Sequence, residues 1–175
     1  MVPGGILFLD LSTSVGWAYG RAGDSMPQWG VWQLPGEMGT DEILNSFENI
    51  FLDALDEMNP VRVGVEAPIP QRDNNVRTAE ITYGLHTLVR VRCLQAGLPL
   101  SRPTADRIRA AVAGRAKRTE AEKTAKISVK NAIVLPWCVS MGWEAITDHN
   151  ARDAAAGWAY ETGIRFKKEK PPRKI

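Results

Sequence analysis

An apolar run that ends in an aspartate is the feature of this sequence that most restricts its fold. Residues 6–9 are all apolar and lead directly into Asp10, a pattern typical of a strand buried on both faces. Burying an unpaired carboxylate costs several kcal/mol, so Asp10 must lie where a cation, a hydrogen-bond donor or water reaches it. Residues 12–16 predict a turn and 15–20 a returning strand. We expect a central hairpin with Asp10 at the end of its first strand. The alternative interpretation is that Asp10 is an ordinary aspartate that begins a turn.

Length and composition predict one soluble domain. The chain has 175 residues, of which 44% are apolar and 24% charged, as in ordinary globular proteins. No stretch reaches the roughly 18 apolar residues of a membrane span, and the N-terminus lacks the pattern of a secretory signal. Cys93 and Cys138 lack metal-site spacing and are expected to be buried free thiols. These observations favour a cytoplasmic protein with no membrane partner.

Positive charge is concentrated in two stretches. Residues 165–175 carry six basic residues and one acid, and residues 102–130 carry nine basic residues and three acids. Because the net charge of the whole chain is only +2, residues 1–164 are slightly acidic overall. This asymmetry suits a polyanionic partner, although a charge run is commonly just a solvated face. We expect a folded domain over 1–164 and a basic, flexible tail over 165–175.

The hydrophobic pattern predicts an α/β fold. Three antiparallel strands open the chain, a helix follows with Thr40 as its N-cap, and later strands alternate with helices. A capping box at 119–122 predicts a helix that places Lys123, Lys126 and Lys130 on one face. The result is a five-stranded mixed sheet, three antiparallel strands and then two parallel ones, flanked by helices. The predicted strands are 6–10, 15–20, 28–34, 62–66 and 98–101, and the predicted helices are 40–58, 74–96, 104–113, a helix from 119, and 148–162.

Two further acids, Glu66 and Asp153, are candidate site residues together with Asp10. Glu66 ends the short apolar strand 62–65 and is followed by Ala67-Pro68, which breaks the strand. Because functional groups gather at the carboxyl ends of the strands in an open parallel sheet, Asp10 and Glu66 would be neighbours if their strands are adjacent. Asp153 lies one turn inside the last predicted helix.

On these residues the chain resembles the ribonuclease H-like superfamily and, within it, the RuvC-type Holliday junction resolvases, especially phage and prophage variants. The resemblance rests on LDLSTSVGWA at 9–18, on VEAP at 65–68 and on DHNARDAA at 148–155. It extends over nearly the whole chain up to about Gly163 and includes the basic loop before the Thr119 helix.

The resemblance implies a metal-dependent homodimeric endonuclease that nicks opposed strands of a four-way DNA junction. Two Mg²⁺ ions, which Mn²⁺ can replace, would neutralise charge on the attacking water and on the departing oxygen. Asp10 would bridge the ions, Glu66 would hold the one on the leaving-group side, and Asp153 with a neighbour would hold the other. The implied DNA contacts are Arg115, Lys117, Arg118, Lys123 and Lys126.

The fourth metal ligand is the open point of this assignment. Related resolvases carry an acid or a histidine three residues before the helix-borne aspartate, where this chain has Asn150, a neutral amide. Asp148 offers the oxygen that Mg²⁺ prefers, but it is equally placed to cap the helix. His149 lies four residues before Asp153 and would suit Mn²⁺ better. We favour Asp148 over His149, and Asn150 comes third.

Three other functions compete with a junction resolvase. A nuclease of the same fold could act on other branched DNA or on RNA, since the acids serve either backbone. A sugar- or acetate-kinase-like ATPase is excluded, because that fold needs roughly twice this length and a glycine-rich adenosine site. A catalytically inactive nucleic-acid-binding module is disfavoured because all three acids, Asp10, Glu66 and Asp153, are present.

Overall fold

A five-stranded mixed sheet forms the centre of the molecule. The structure is a computed structural model that describes residues 4–68 and 76–166. The strand order is β3-β2-β1-β4-β5; β1, β2 and β3 pair antiparallel, while β4 runs parallel to β1 and β5 parallel to β4. This confirms the predicted sheet. The strands are β1 (Ile6–Asp10), β2 (Ser14–Gly20), β3 (Gln28–Gln33), β4 (Arg62–Val65) and β5 (Leu100–Ser101).

Helices cover both faces of the sheet. None of those in the described ranges is both long and apolar enough to cross a membrane. A π-helical turn at Lys130–Val134 leads directly into the fifth α-helix. The α-helices are α1 (Thr40–Met58), α2 (Val76–Gln95), α3 (Ala105–Ala113), α4 (Glu120–Thr124), α5 (Leu135–Ser140) and α6 (His149–Glu161).

The sheet is the middle of three layers, and strand periodicity sorts its side chains between them. Leu7 and Leu9 of β1 are fully buried in the apolar cluster that contains residues of α1 and α2. Phe8, which points to the opposite face, is fully buried in the cluster that contains residues of α3, α5 and α6. The strand is therefore buried on both faces, as its uninterrupted apolar run predicts.

Two predicted helix details are wrong. Gly39, not Thr40, is the N-cap of α1, and the carboxylate of Glu42 accepts a hydrogen bond from the Gly39 N–H at 2.8 Å. Counted from Gly39, Glu42 is the third helical residue and can reach back to the cap; counted from Thr40, that position would hold the apolar Ile43.

The second difference concerns the helix that starts after Thr119. Its capping box is present, but α4 ends at Thr124 and Lys126 adopts a left-handed conformation with φ 56°. A backbone hydrogen bond from Ile127 to the carbonyl of Glu122, at 3.0 Å, closes the helix end. Glycine or asparagine usually takes such a position, so a lysine there gave no stop signal. The predicted lysine face is therefore divided between α4 and the π-helical turn at Lys130.

Helix α6 lies directly against β1 and β2 because glycines remove the side chains that would separate them. A Cβ atom on Gly16 would lie 2.1 Å from the backbone oxygen of Asn150, and one on Gly157 would lie 2.0 Å from the ring of Phe8. Atoms cannot approach that closely, so both positions need glycine. The first contact fixes the start of α6 against the strand that follows Asp10.

Gly16→Ala should destabilise the protein by about 2–3 kcal/mol, because the new methyl group collides with backbone that cannot rotate away. Urea unfolding followed by circular dichroism measures the change. Gly36→Ala is the matched control, since a Cβ there meets nothing within 4 Å. Equal stability of the two variants would contradict the close approach of α6.

Candidate active site

Strand periodicity directs Asp10 and Glu66 to the same face of the sheet. Leu9 pairs with Val65 across the parallel β1–β4 ladder, and the N–H of Glu66 donates to the carbonyl of Leu9 at 3.1 Å. Because Leu9 and Val65 face α1 and α2, the residues that follow them face α6. The predicted adjacency of the two acids is therefore present in the structure.

Helix α6 brings the third acid to the same place. Its inner face is a row of small residues, mostly alanine, that is buried against the sheet. Asp153 lies on this face with only 9% of its side chain exposed, while Asp10 is 15% exposed. The Gly16 contact fixes the start of α6 against β2, one turn before Asp153. All three predicted catalytic acids thus converge at the carboxyl ends of β1 and β4.

A lysine that the sequence did not identify as a site residue completes the group. The ammonium of Lys130 lies 2.5 Å from a carboxylate oxygen of Asp153 and 3.6 Å from one of Asp10. It also donates to the side-chain oxygen of Asn150 at 3.3 Å, and the Asn150 amide donates in turn to the carbonyl of Ser14 at 2.8 Å. Asn150 thus holds the side chain of Lys130 in place and links α6 to β2 by a hydrogen bond.

Burial and mutual repulsion make these acids difficult to ionise. Burial raises the pKa of Asp10 to about 6 and that of Glu66 to about 8, and neighbouring carboxylates contribute to both increases. Burial also raises the pKa of Asp153, against the opposing charge of Lys130. For Lys130, burial lowers the pKa, but the surrounding acids together raise it above its ordinary value. The three carboxyl groups therefore cannot all ionise at neutral pH without more positive charge than one lysine supplies.

The donor set suits a hard divalent cation. Carboxylate oxygens are the ligands that Mg²⁺ prefers, and acids that are costly to ionise side by side gain most from a cation. As the side chains stand, no three His, Cys, Asp or Glu residues within 4–68 and 76–166 are arranged to hold a metal ion. The ammonium of Lys130 lies between Asp10 and Asp153 instead.

The three candidates for a fourth ligand lie in different environments. One oxygen of Asp148 caps α6, accepting from the N–H groups of Asn150 and Ala151 at 2.7 and 3.1 Å. Its charge nevertheless reaches the site, since it adds to the raised pKa of Asp10. His149 is exposed and close enough for its charge to oppose the raised pKa of Asp153.

The five predicted DNA contacts do not form one uniform surface. Arg115 pairs with Glu122 through two 2.7 Å hydrogen bonds and also donates to the carbonyl of Ala132, so its guanidinium joins two segments of the fold. Arg118 donates to the carbonyl of Ile127 at 2.6 Å, and the exposed Lys123 pairs with Glu120. The other two, Lys117 and Lys126, are exposed.

The start of the predicted tail is described as far as Phe166. Arg165 donates to the carbonyl of Tyr160 and its guanidinium lies 4.9 Å from the centre of that ring. The N–H of Phe166 donates to the carbonyl of Ala111 at 2.8 Å. The remainder of the predicted tail, 167–175, lies outside the described residues.

Glu66→Gln should stabilise the metal-free protein increasingly as the pH rises from 5 to 9. The raised folded-state pKa of Glu66, about 8 against an ordinary 4.5, means that the folded protein keeps a proton that the unfolded chain loses in this window. Stability therefore falls with rising pH in the wild type, by at most roughly 1.4 kcal/mol for each pH unit between the two pKa values. Unfolding in EDTA at both ends of this pH range measures the difference. The exposed Glu144→Gln is the control, and a pH-independent effect of Glu66→Gln would contradict the assigned burial.

No protein-family model matches the sequence, and no curated protein matches it. Solved structures do match. RuvC from T. thermophilus in complex with Holliday junction substrate superposes with a TM-score of 0.70 at 18% identity, over 91% of this chain and 93% of that one. A second Thermus thermophilus RuvC structure gives 0.60 at 16% identity, over 92% and 98% of the two chains. The yeast mitochondrial Holliday junction resolvase Ydc2 gives 0.57 at 11% identity, over 91% and 76%. The chain therefore has the ribonuclease H-like fold of the RuvC-type resolvases.

Proposed function

We propose that this protein is a metal-dependent endonuclease that nicks opposed strands of four-way DNA junctions. The observation that carries the proposal is that Asp10 and Asp153 both pair with the ammonium of Lys130, while Glu66 lies at the end of the strand next to Asp10. A group of buried acids is destabilising unless it binds a cation, and such groups are typical of catalytic sites. The fold shared with a RuvC that is bound to a Holliday junction supports the choice of substrate.

Asp10 interacts electrostatically with both of the other acids. Its charge makes the largest electrostatic contribution to the raised pKa of Glu66, and Asp153 makes the largest to that of Asp10. This arrangement suits a bridging ligand, with Glu66 on one side and Asp153 on the other. Two Mg²⁺ ions, or Mn²⁺ in their place, would be held by these acids with Asp148 and would neutralise the attacking and departing oxygens.

Asp148 can serve as a cap and as a ligand at once. Its Oδ1 accepts both hydrogen bonds from the first turn of α6, which fixes the carboxylate relative to Asp153. The other oxygen takes no part in these two hydrogen bonds and would be available to a cation. His149 remains the second candidate, and Asn150 serves as the brace of Lys130.

DNA is expected to approach over the loop between α3 and α4. Lys117 is exposed in this loop, and Lys126 is exposed just after α4. Lys123, within α4, could leave its exposed partner Glu120 and pair with a phosphate instead. Helix α1 carries acids and no basic residue, so it repels the DNA backbone. Its acids are Asp41, Glu42, Glu48, Asp53, Asp56 and Glu57.

A homodimer is proposed because a four-way junction presents two equivalent scissile strands, which a twofold axis can serve. Helix α2 offers the contact surface. Its outward face exposes Tyr83, Val91 and Leu94, which are 53%, 42% and 81% exposed. A row of large apolar residues on one helix is unusual for a surface that stays in water.

Asp10→Asn, Glu66→Gln and Asp148→Asn should each lower junction cleavage in Mg²⁺, the first two by at least about 100-fold, while junction affinity stays near wild type. Asparagine caps a helix as well as aspartate does, so Asp148→Asn removes the charge and keeps the fold. Cleavage of labelled junctions, with duplex, flap and RNA·DNA hybrid alongside, provides the readout.

The control for these variants is Glu144→Gln, which should cut like the wild type. Unimpaired cutting by Asp10→Asn would refute the assignment of the site. A wild type that prefers the flap or the RNA·DNA hybrid would indicate a nuclease of this fold that acts on other branched DNA or on RNA. A wild type that binds junctions without cutting them would indicate an inactive binding module.

Leu94→Glu should convert the dimer to a monomer by placing a charge in the apolar contact. Sedimentation or light scattering measures the mass, which in the wild type should be twice 19.3 kDa. Leu52→Glu, on the exposed side of α1, is the matched control and should remain dimeric. A wild type that is monomeric even with junction bound would contradict the proposal.

A further inference from the structure

His86 is a polar residue on the buried side of a helix. It is 5% exposed and belongs to the inner face of α2 with Ile81, Leu85 and Val89. Its Nδ1 atom is buried and has no hydrogen-bond partner among the described residues. Leaving such a group unpaired costs about 1–3 kcal/mol, which an apolar side chain of the same size would avoid. The histidine is therefore not explained by the packing of the core.

The imidazole of His86 is neutral at physiological pH. Burial lowers its pKa to about 4, and the positive charge of Arg102 contributes to the shift. A neutral imidazole offers one N–H donor and one acceptor nitrogen. A half-turn of the ring about its Cβ–Cγ bond exchanges Nδ1 with a ring carbon, so either side of the ring can present a nitrogen. His86 is thus suited to hydrogen bonding with an uncharged polar ligand.

The candidate ligand space is a cleft of about 390 Å³ that His86 shares with the active site. From the strand ends it is lined by Asp10 and Glu66, and Lys130 also contributes. From α2 it is lined by Thr78, Thr82 and His86, which are spaced four residues apart and so lie on one face of the helix. One side of the cleft therefore carries the charged groups of the proposed metal site, and the side formed by α2 carries neutral hydrogen-bond donors and acceptors.

We propose that this cleft seats the nucleoside next to the scissile phosphate, with its base held by hydrogen bonds to His86 and Thr82. The inference rests on the proposed nuclease function. A phosphodiester at Asp10 and Glu66 continues covalently into a sugar and a base, which must occupy space beside the acids. The cleft volume falls within the range of small-molecule sites, and the imidazole of His86 lines the cleft, so a base edge there can hydrogen-bond to the ring. A wall of fixed donors and acceptors discriminates between bases.

The test measures base preference with a stability readout alongside. His86→Leu should reduce by about tenfold the discrimination among junctions that differ only in the base beside the cut, while junction affinity is unchanged. It should unfold at the same or a higher urea concentration, because the unpaired group is removed. His86→Gln, which restores a neutral donor and acceptor, should recover part of the discrimination. Thr82→Val should lose it, and the control Thr40→Val, outside the cleft, should not.

A second measurement does not depend on cleavage. The chain has two histidines, so the imidazole ¹⁵N signals of His86 are identified by their absence in His86→Gln. Titrating deoxydinucleotides into the wild type in EDTA should shift the His86 signals. The same titration of Thr40→Val should give the same shifts. The proposal is overturned if junctions are cut with unaltered base preference by His86→Leu, or if no dinucleotide shifts the His86 signals. A wild type that cuts nothing while the signals still shift would refute the nuclease function and leave the nucleoside site standing.

Discussion

The repulsion among buried carboxylates at the ends of β1 and β4 is the constraint on which the site depends. Each acid is desolvated, and Asp10 and Asp153 raise the pKa of Glu66, while Asp153 also raises that of Asp10. Positive charge nearby therefore stabilises the group. Lys130 supplies one such charge between Asp10 and Asp153, and its own pKa rises in return. One ammonium cannot offset three ionised acids, and under the proposed function a divalent cation would supply the missing positive charge.

The backbone holds this unfavourable arrangement through close contacts that only glycine allows. Gly16 lets the first turn of α6 contact β2, and Gly157 and Gly64 receive the ring of Phe8. The ring and Asp10 lie on the same side of β1, two residues apart, so packing of the ring also fixes the carboxylate. Stability gained in the apolar core thus offsets the electrostatic cost at the strand end.

Much of the fold and most of the site could be predicted from the sequence. The uninterrupted apolar runs before Asp10 and Glu66 indicated strands buried on both faces, and the acid at each strand end followed from the cost of burying charge. The role of Lys130 in the site could not be predicted in this way. It lies at the start of a π-helical turn, and the spacing of apolar residues does not predict such a turn. The division of the predicted lysine face could not be foreseen for a similar reason. Lys126, and not a glycine, takes the left-handed conformation that follows the end of α4.

One of the buried polar groups that lack a partner lines the same cleft. Three buried side-chain atoms lack a partner within the described ranges: one each in His86, Arg109 and Trp158. His86 lines the cleft, and the charge of Arg109 opposes the raised pKa values of Glu66 and Asp153. Natural sequences satisfy nearly all buried polar groups, and they depart from that rule mainly where function requires it. Buried acids gain from a cation and a buried imidazole gains from a hydrogen-bond partner. Under the proposed function, a nucleotide with its metal ions would supply both, so one substrate would relieve both kinds of unfavourable energy.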